Sequence, residues 1–147
     1  MAYHITDVSP AQIPQIEALE KQCFSMPWTA EMLVSQLKDA QHEFIAAVGE
    51  DGTVLGYVGM MFVLDEGYIS NVAVSPAHRR QGIADALIER LDAICREHAL
   101  CFVSLEVRAG NVPAIALYEK HGFARVGLRK NYYERPREDA LIMTKFF

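Results

Sequence analysis

Val72-Ala73-Val74-Ser75-Pro76-Ala77-His78-Arg79-Arg80-Gln81-Gly82-Ile83-Ala84 is the most informative stretch of this 147-residue chain. Val72–Val74 reads as the end of a strand that Ser75-Pro76 stops. Beyond Gly82, the residues Ile83, Leu87, Leu91 and Ile94 recur at helical spacing, so Gly82–His98 reads as the strongest helix. Between strand and helix lies Arg79-x-x-Gly82-x-Ala84. Small residues let a backbone approach a ligand closely. The unpaired N–H groups and the dipole of a helix start favour a phosphate, and Arg79 and Arg80 add positive charge. A plain helix start with solvated arginines would use similar residues. The preceding strand, the following helix and the paired arginines favour the phosphate reading. The stretch has neither the Gly-x-Gly-x-x-Gly of dinucleotide folds nor the Gly-Lys-Ser/Thr of a P-loop.

Upstream, Tyr3–Val8 reads as a strand, and Ile13, Ile16, Leu19 and Cys23 as the stripe of a helix broken by Ser25-Met26-Pro27-Trp28. Thr29 fits the N-cap of a second helix. Glu43–Val48 and Val54–Phe62 read as strands joined at Asp51-Gly52, and Tyr68–Val74 follows a turn at Asp65-Glu66-Gly67. Downstream, Phe102–Val107 is a strand. Asn111 caps a helix that stops at Gly122, and Ala124–Leu128 and Ala140–Thr144 close the chain. Strands first, then two strand–helix units, predict one domain over residues 1–147 with a mixed sheet and helices on its faces.

The second constellation is Leu105-Glu106-Val107-Arg108-Ala109-Gly110-Asn111, followed by Ala116-Leu117-Tyr118-Glu119-Lys120-His121-Gly122-Phe123. Strand alternation sets Val103, Leu105 and Val107 on one face and Phe102, Ser104 and Glu106 on the other. A neighbouring phenyl ring would desolvate Glu106 and suit it to take up a proton near neutral pH. A merely paired glutamate fits the strand equally well. Tyr118 reads unaided as a core tyrosine, and Asn111 as an N-cap.

Apolar residues make up 51% of the chain and charged residues 22%, which excludes a disordered chain. The net charge of −5 and scattered basic residues disfavour a nucleic-acid surface and mildly suit a cationic substrate. The longest apolar run, around Gly56–Leu64, is too short to span a membrane, and Met1-Ala2-Tyr3-His4 lacks signal-peptide character. Three cysteines without Cys-x-x-Cys spacing fit a reducing cytoplasm. Five histidines without a ligand-like cluster predict no metal site. Cys95 falls on the long helix's buried stripe, while Cys23 and Cys101 lack a paired base, so an acyl-cysteine route is disfavoured.

Together these segments resemble the GNAT acetyltransferase superfamily, whose cofactor loop reads Arg/Gln-x-x-Gly-x-Gly/Ala, as Arg79–Ala84 does. Within it the chain resembles the ribosomal-protein-alanine N-acetyltransferase family. That likeness also rests on Phe24-Ser25-Met26-Pro27-Trp28-Thr29, on Arg129-Lys130-Asn131-Tyr132-Tyr133 and on Arg137-Glu138-Asp139-Ala140-Leu141-Ile142-Met143. The resemblance implies a mostly antiparallel sheet of six to seven strands, helices on both faces and a splayed parallel pair in the middle. It implies acetyl-CoA as cosubstrate, with its pantetheine along the main chain of Val72, Ala73 and Val74. Its pyrophosphate would lie on Arg79, Arg80, Gln81, Gly82, Ile83 and Ala84, with Asn111 in contact. Glu106 would be the general base and Tyr118 the general acid. The implied acceptor is the N-terminal alanine of ribosomal small-subunit protein eighteen. Trp28, Tyr132 and Tyr133 are candidates for the peptide groove, although the two tyrosines fit interface or core positions as well. A small-amine acetyltransferase and a non-catalytic acetyl-CoA sensor are the alternative readings.

Overall fold

The computed structural model describes residues 2–147; Met1 lies outside the described residues. Strands β1 (Tyr3–Asp7), β2 (His42–Gly49), β3 (Val54–Val63), β4 (Glu66–Val74), β5 (Phe102–Arg108), β6 (Ala124–Glu134) and β7 (Arg137–Phe146) form one sheet. Its order is β1-β2-β3-β4-β5-β7-β6. Every neighbouring pair is antiparallel except β4 and β5. The helices are α1 (Ile13–Cys23), α2 (Ala30–Leu37), α3 (Ile83–Glu97) and α4 (Val112–Lys120). No helix among the described residues is long and apolar enough to cross a membrane.

Helices cover both faces, so β2 reads as continuous apolar sequence although its pairing is antiparallel. Phe44, Ala46 and Val48 join Ile13, Ile16, Leu19 and Leu33 in a core under α1 and α2. The alternate residues Ile45 and Ala47 join Ile83, Leu87, Leu91 and Ile94 in the core under α3. Every member of that predicted stripe is buried, and Cys95 is buried beside it. Truncating one such leucine, as in Leu91→Ala, removes burial and leaves a cavity, a cost of about 2–5 kcal/mol.

Local chemistry sets the boundaries. Thr29 Oγ1 accepts from Met32 N at 3.3 Å and starts α2. Asn111 Oδ1 accepts from Ala114 N at 3.3 Å and starts α4, and Gly122 follows that helix with φ +92°. Two boundaries differ from expectation. β4 begins at Glu66 rather than Tyr68, because the β3–β4 turn is made by Leu64, at φ +56°, and Asp65. The closing strands are far longer than Ala124–Leu128 and Ala140–Thr144. β6 is an edge strand with mostly exposed residues, so it carries no apolar alternation to mark its length.

One irregularity positions the site. In the β3–β4 ladder Gly59 faces Asn71 while Met60 faces Ile69, so Ser70 is an extra residue, a β-bulge. Ile69 belongs to the core under α3, whereas Ala73, four residues on, belongs to the core under α1. The bulge exchanges the faces of everything beyond it.

Candidate active site

β4 and β5 pair only over Glu66–Phe102, Gly67–Val103 and Tyr68–Ser104. Each then runs on, β4 to Val74 and β5 to Arg108, without further pairing to the other. Right-handed twist and the bulge carry them apart. A cleft of about 750 Å³ opens at the gap, walled by residues of the α1–α2 connection, β4, β5, α4 and the end of β6. Past Tyr68, the β4 edge toward the gap carries main-chain groups available to a ligand.

The cleft brings together Trp28, Val72, Glu106, Asn111, Tyr118, Tyr132 and Tyr133, which are far apart in sequence. Ala73 and Val74 adjoin it on β4; Ala73 is buried, and Val74 O accepts from Cys23 Sγ at 3.5 Å. The segment Arg79–Ala84 is not part of the cleft wall. Arg79–Gly82 forms an exposed turn, where Arg80 has φ +63° and Gly82 φ +77°, and Ile83 and Ala84 begin α3, with Ile83 buried. No side chain caps this helix. A Cβ on Gly82 would meet nothing within 4 Å, so the glycine serves its backbone angle, and the space above the first turn is open. Those features fit a phosphate held by main-chain N–H groups. Arg79 Nη2 lies 3.8 Å from Cys23 Sγ, which links the turn to the end of α1.

Val103, Leu105 and Val107 are buried on the α3 side, as alternation predicts, so Glu106 faces the α1 side. The expected desolvation by Phe102 does not occur. The two residues share a face but stand four positions apart, roughly 13 Å along the strand. Phe102 packs instead against Tyr68 and Phe146, with ring centroids 5.9 and 6.2 Å away. The Glu106 side chain is 32% exposed and its Oε1 lies 3.1 Å from Arg129 Nε. Tyr118 belongs to the opposite core, with its ring 5.7 Å from that of Phe123. Burial, with a smaller contribution from Tyr133, pushes its phenol pKa up, so the hydroxyl keeps its proton. A carboxylate from one face of the sheet and a protonated phenol from the other therefore wall the same gap.

Tyr132 and Tyr133 pack edge to face, with centroids 5.1 Å apart, at the end of β6. Burial, then the proximity of Tyr132, pushes Tyr133 up to about 12. Arg108 fastens this hairpin. Its guanidinium donates to Pro136 O at 2.8 Å, Arg135 O at 3.2 Å, Glu138 Oε1 at 3.3 Å and Ser25 Oγ at 3.4 Å. It also stacks 4.3 Å from the Tyr133 ring centroid. Arg108, Arg129 and Asn71 were not singled out from the sequence, and Cys23 reads there only as part of a helix stripe without a paired base. Asn71 alone left a signal there, as a polar residue inside the apolar strand. Among the described residues, no group of three or more His, Cys, Asp or Glu converges as metal ligands would.

A seven-stranded sheet with one splayed parallel pair, a glycine turn beside it and a cleft in the gap define a GNAT acyltransferase fold. The Acetyltransferase (GNAT) family matches residues 13–123, and the chain belongs to that family. Among relatives, the [Ribosomal protein bS18]-alanine N-acetyltransferase of Escherichia coli (strain K12) is 33% identical over 141 residues, covering 95% of this chain and 94% of its own length. A Bacillus subtilis protein with a provisional form of the same name is 36% identical over 131 residues, covering 89% of this chain and 87% of its own. The crystal structure of the ribosomal-protein-S18-alanine N-acetyltransferase from Escherichia coli superposes with a TM-score of 0.90 at 31% identity, covering 99% of this chain and 94% of that one.

Proposed function

We propose that this protein transfers the acetyl group of acetyl-CoA to the α-amine at the N-terminus of a ribosomal protein, specifically the terminal alanine of small-subunit protein eighteen. The observation that carries the reading is the cleft shared by Glu106 and Tyr118 at the β4–β5 splay. The names of the aligned relatives supply the acceptor. A ribosomal acceptor implies work in the cytoplasm.

In this reading acetyl-CoA runs along Val72, Ala73 and Val74, beside Asn111, with its pyrophosphate on the turn formed by Arg79, Arg80, Gln81, Gly82, Ile83 and Ala84. Trp28, Tyr132 and Tyr133 line the peptide side. Glu106 takes a proton from the acceptor ammonium, directly or through water. The neutral amine attacks the thioester carbonyl, and a main-chain N–H near Val74 stabilises the developing oxyanion. As the C–S bond breaks, Tyr118 donates its proton to the departing thiolate, and the attacking nitrogen gives up its second proton through water, which leaves the neutral amide and restores the phenol. Bringing amine and thioester into one cleft supplies proximity.

Proton affinity favours an α-amine. With a pKa of about 7.7–8.0, roughly a tenth of it is neutral at pH 7, against under about one part in a thousand for a lysine amine near 10.4. The test is mass spectrometry of an alanine-starting peptide mixed with protein and acetyl-CoA. An N-acetyl-blocked, lysine-containing peptide is the control, and Glu106→Gln is run alongside. Acetylation at the free terminus alone, reduced about a hundredfold or more in the variant, is expected. Binding of acetyl-CoA with no transfer to the peptide would refute the acceptor.

A further inference from the structure

Glu20 is the one carboxylate among the described residues with no exposed surface (0%). It continues the apolar face of α1 after Ile16 and Leu19, where an aliphatic side chain would fill the space without the cost of burying a carboxylate. Two donors converge on it: Tyr57 Oη reaches Oε1 at 2.7 Å and Asn71 Nδ2 reaches the same oxygen at 2.6 Å. Tyr57 is itself fully buried. Asn71 is not; it stands on the wall of the cleft with Glu106 and Tyr118.

The bulge at Ser70 explains how Asn71 reaches Glu20. In an unbroken strand Asn71 would share the α3 face with Ile69. The extra residue puts it with Ala73 on the α1 face instead. That is also the face of Glu106 on the neighbouring strand, across the splay. The Glu20 oxygen that receives both donors acts as an acceptor, so the amide must turn its NH₂ toward Glu20. Its carbonyl oxygen is then the half left to face the cleft. A carbonyl oxygen cannot take a proton from an ammonium at neutral pH, but it can hold one of its N–H groups.

We propose that Asn71 is a substrate-positioning residue whose Oδ1 accepts a hydrogen bond from the α-amino group of the acceptor, and that Glu20 acts through it as a positioning residue by fixing the amide's orientation. The arrangement steers the amine between β4 and Glu106 and leaves proton removal to the carboxylate. The inference rests on an N-terminal α-amine as the acceptor.

Steady-state kinetics over a panel of peptides differing in their first residue tests it, with acetyl-CoA titration calorimetry and thermal denaturation run on each variant. Asn71→Ala is expected to raise the peptide KM about tenfold or more, the size of one lost hydrogen bond to a charged group. The acetyl-CoA Kd should stay within about twofold, since that ligand does not use the hydrogen bond. Glu20→Met, which frees the amide to rotate, should raise the peptide KM in the same way, and Glu20→Gln, which keeps an acceptor oxygen, should restore most of it. An unchanged peptide KM in folded Asn71→Ala overturns the inference and leaves the acetyltransferase reading intact, even if Glu20→Met fails to fold. A wild type that acetylates no peptide of the panel overturns the acceptor reading and this inference with it.

Discussion

Arg129 Nε stands 3.1 Å from Glu106 Oε1, so the edge hairpin holds the carboxylate proposed as the base. With side chains 56% and 32% exposed, the pair lies in solvent reach and contributes little to stability. Arg129→Gln is expected to leave unfolding free energy within about 0.5 kcal/mol of wild type. Peptide turnover should fall several-fold, because the carboxylate then samples other rotamers. Chemical denaturation and kinetics on the same preparation separate the two effects. Unchanged turnover would make the pair an idle surface contact.

Tyr118→Phe keeps the ring beside Phe123 and removes only the hydroxyl, so turnover should fall about a hundredfold with the fold intact. The buried phenol also predicts alkaline behaviour. Burial first, and Tyr133 second, raises its pKa above the ordinary 10.0. The folded form then holds its proton more tightly than the unfolded chain does. Stability from this group is complete below about pH 10 and is lost as pH climbs beyond it. Urea melts between pH 8 and 11 should show wild type weakening above pH 10, and the variant weakening less. Parallel curves would remove Tyr118 as a source of the loss.

Arg108 joins β5 to both walls of the proposed peptide side, through Arg135, Pro136 and Glu138 on the hairpin and Ser25 before α2. Arg108→Lys keeps the charge but not the planar fork or the stacking on Tyr133. The expected result is a peptide KM raised several-fold with acetyl-CoA affinity unchanged, and a stability loss of about 1–3 kcal/mol. A loss of acetyl-CoA affinity instead would place Arg108 in the cofactor's half of the cleft.

Gly82→Ala tests the turn before α3. Nothing would touch the added Cβ, so the cost is that of φ +77° alone, about 1 kcal/mol. Any relaxation of that angle displaces the first-turn N–H groups. Calorimetry should show weaker acetyl-CoA binding while the peptide KM is unchanged. Gly56→Ala is a harsher change, since its Cβ would lie 2.9 Å from Ala73 O on the strand proposed to carry the pantetheine. Tight acetyl-CoA binding by Gly82→Ala would move the phosphate site elsewhere.

Much of this molecule could be read in one dimension. The stripe Ile83, Leu87, Leu91, Ile94 announced α3 because a helix that buries one face must repeat at that spacing. Thr29 and Asn111 announced helix starts because orphan N–H groups need a short-range acceptor. The alternation of Val103, Leu105 and Val107 gave the faces of β5. Local spacing says nothing of what stands across a gap. Phe102 shares a face with Glu106, yet the partner of that carboxylate is Arg129, from a strand whose exposed residues leave no pattern. Arg108 showed no sign of its five contacts, because they come from chain segments that only folding brings near. Asn71 owes its neighbour Glu20 to a single extra residue at Ser70, which turns one strand over halfway along its length. Periodicity and capping are properties of neighbours in the chain, whereas register, bulges and the splay of β4 from β5 arise from pairing between strands. The cleft is a product of that pairing.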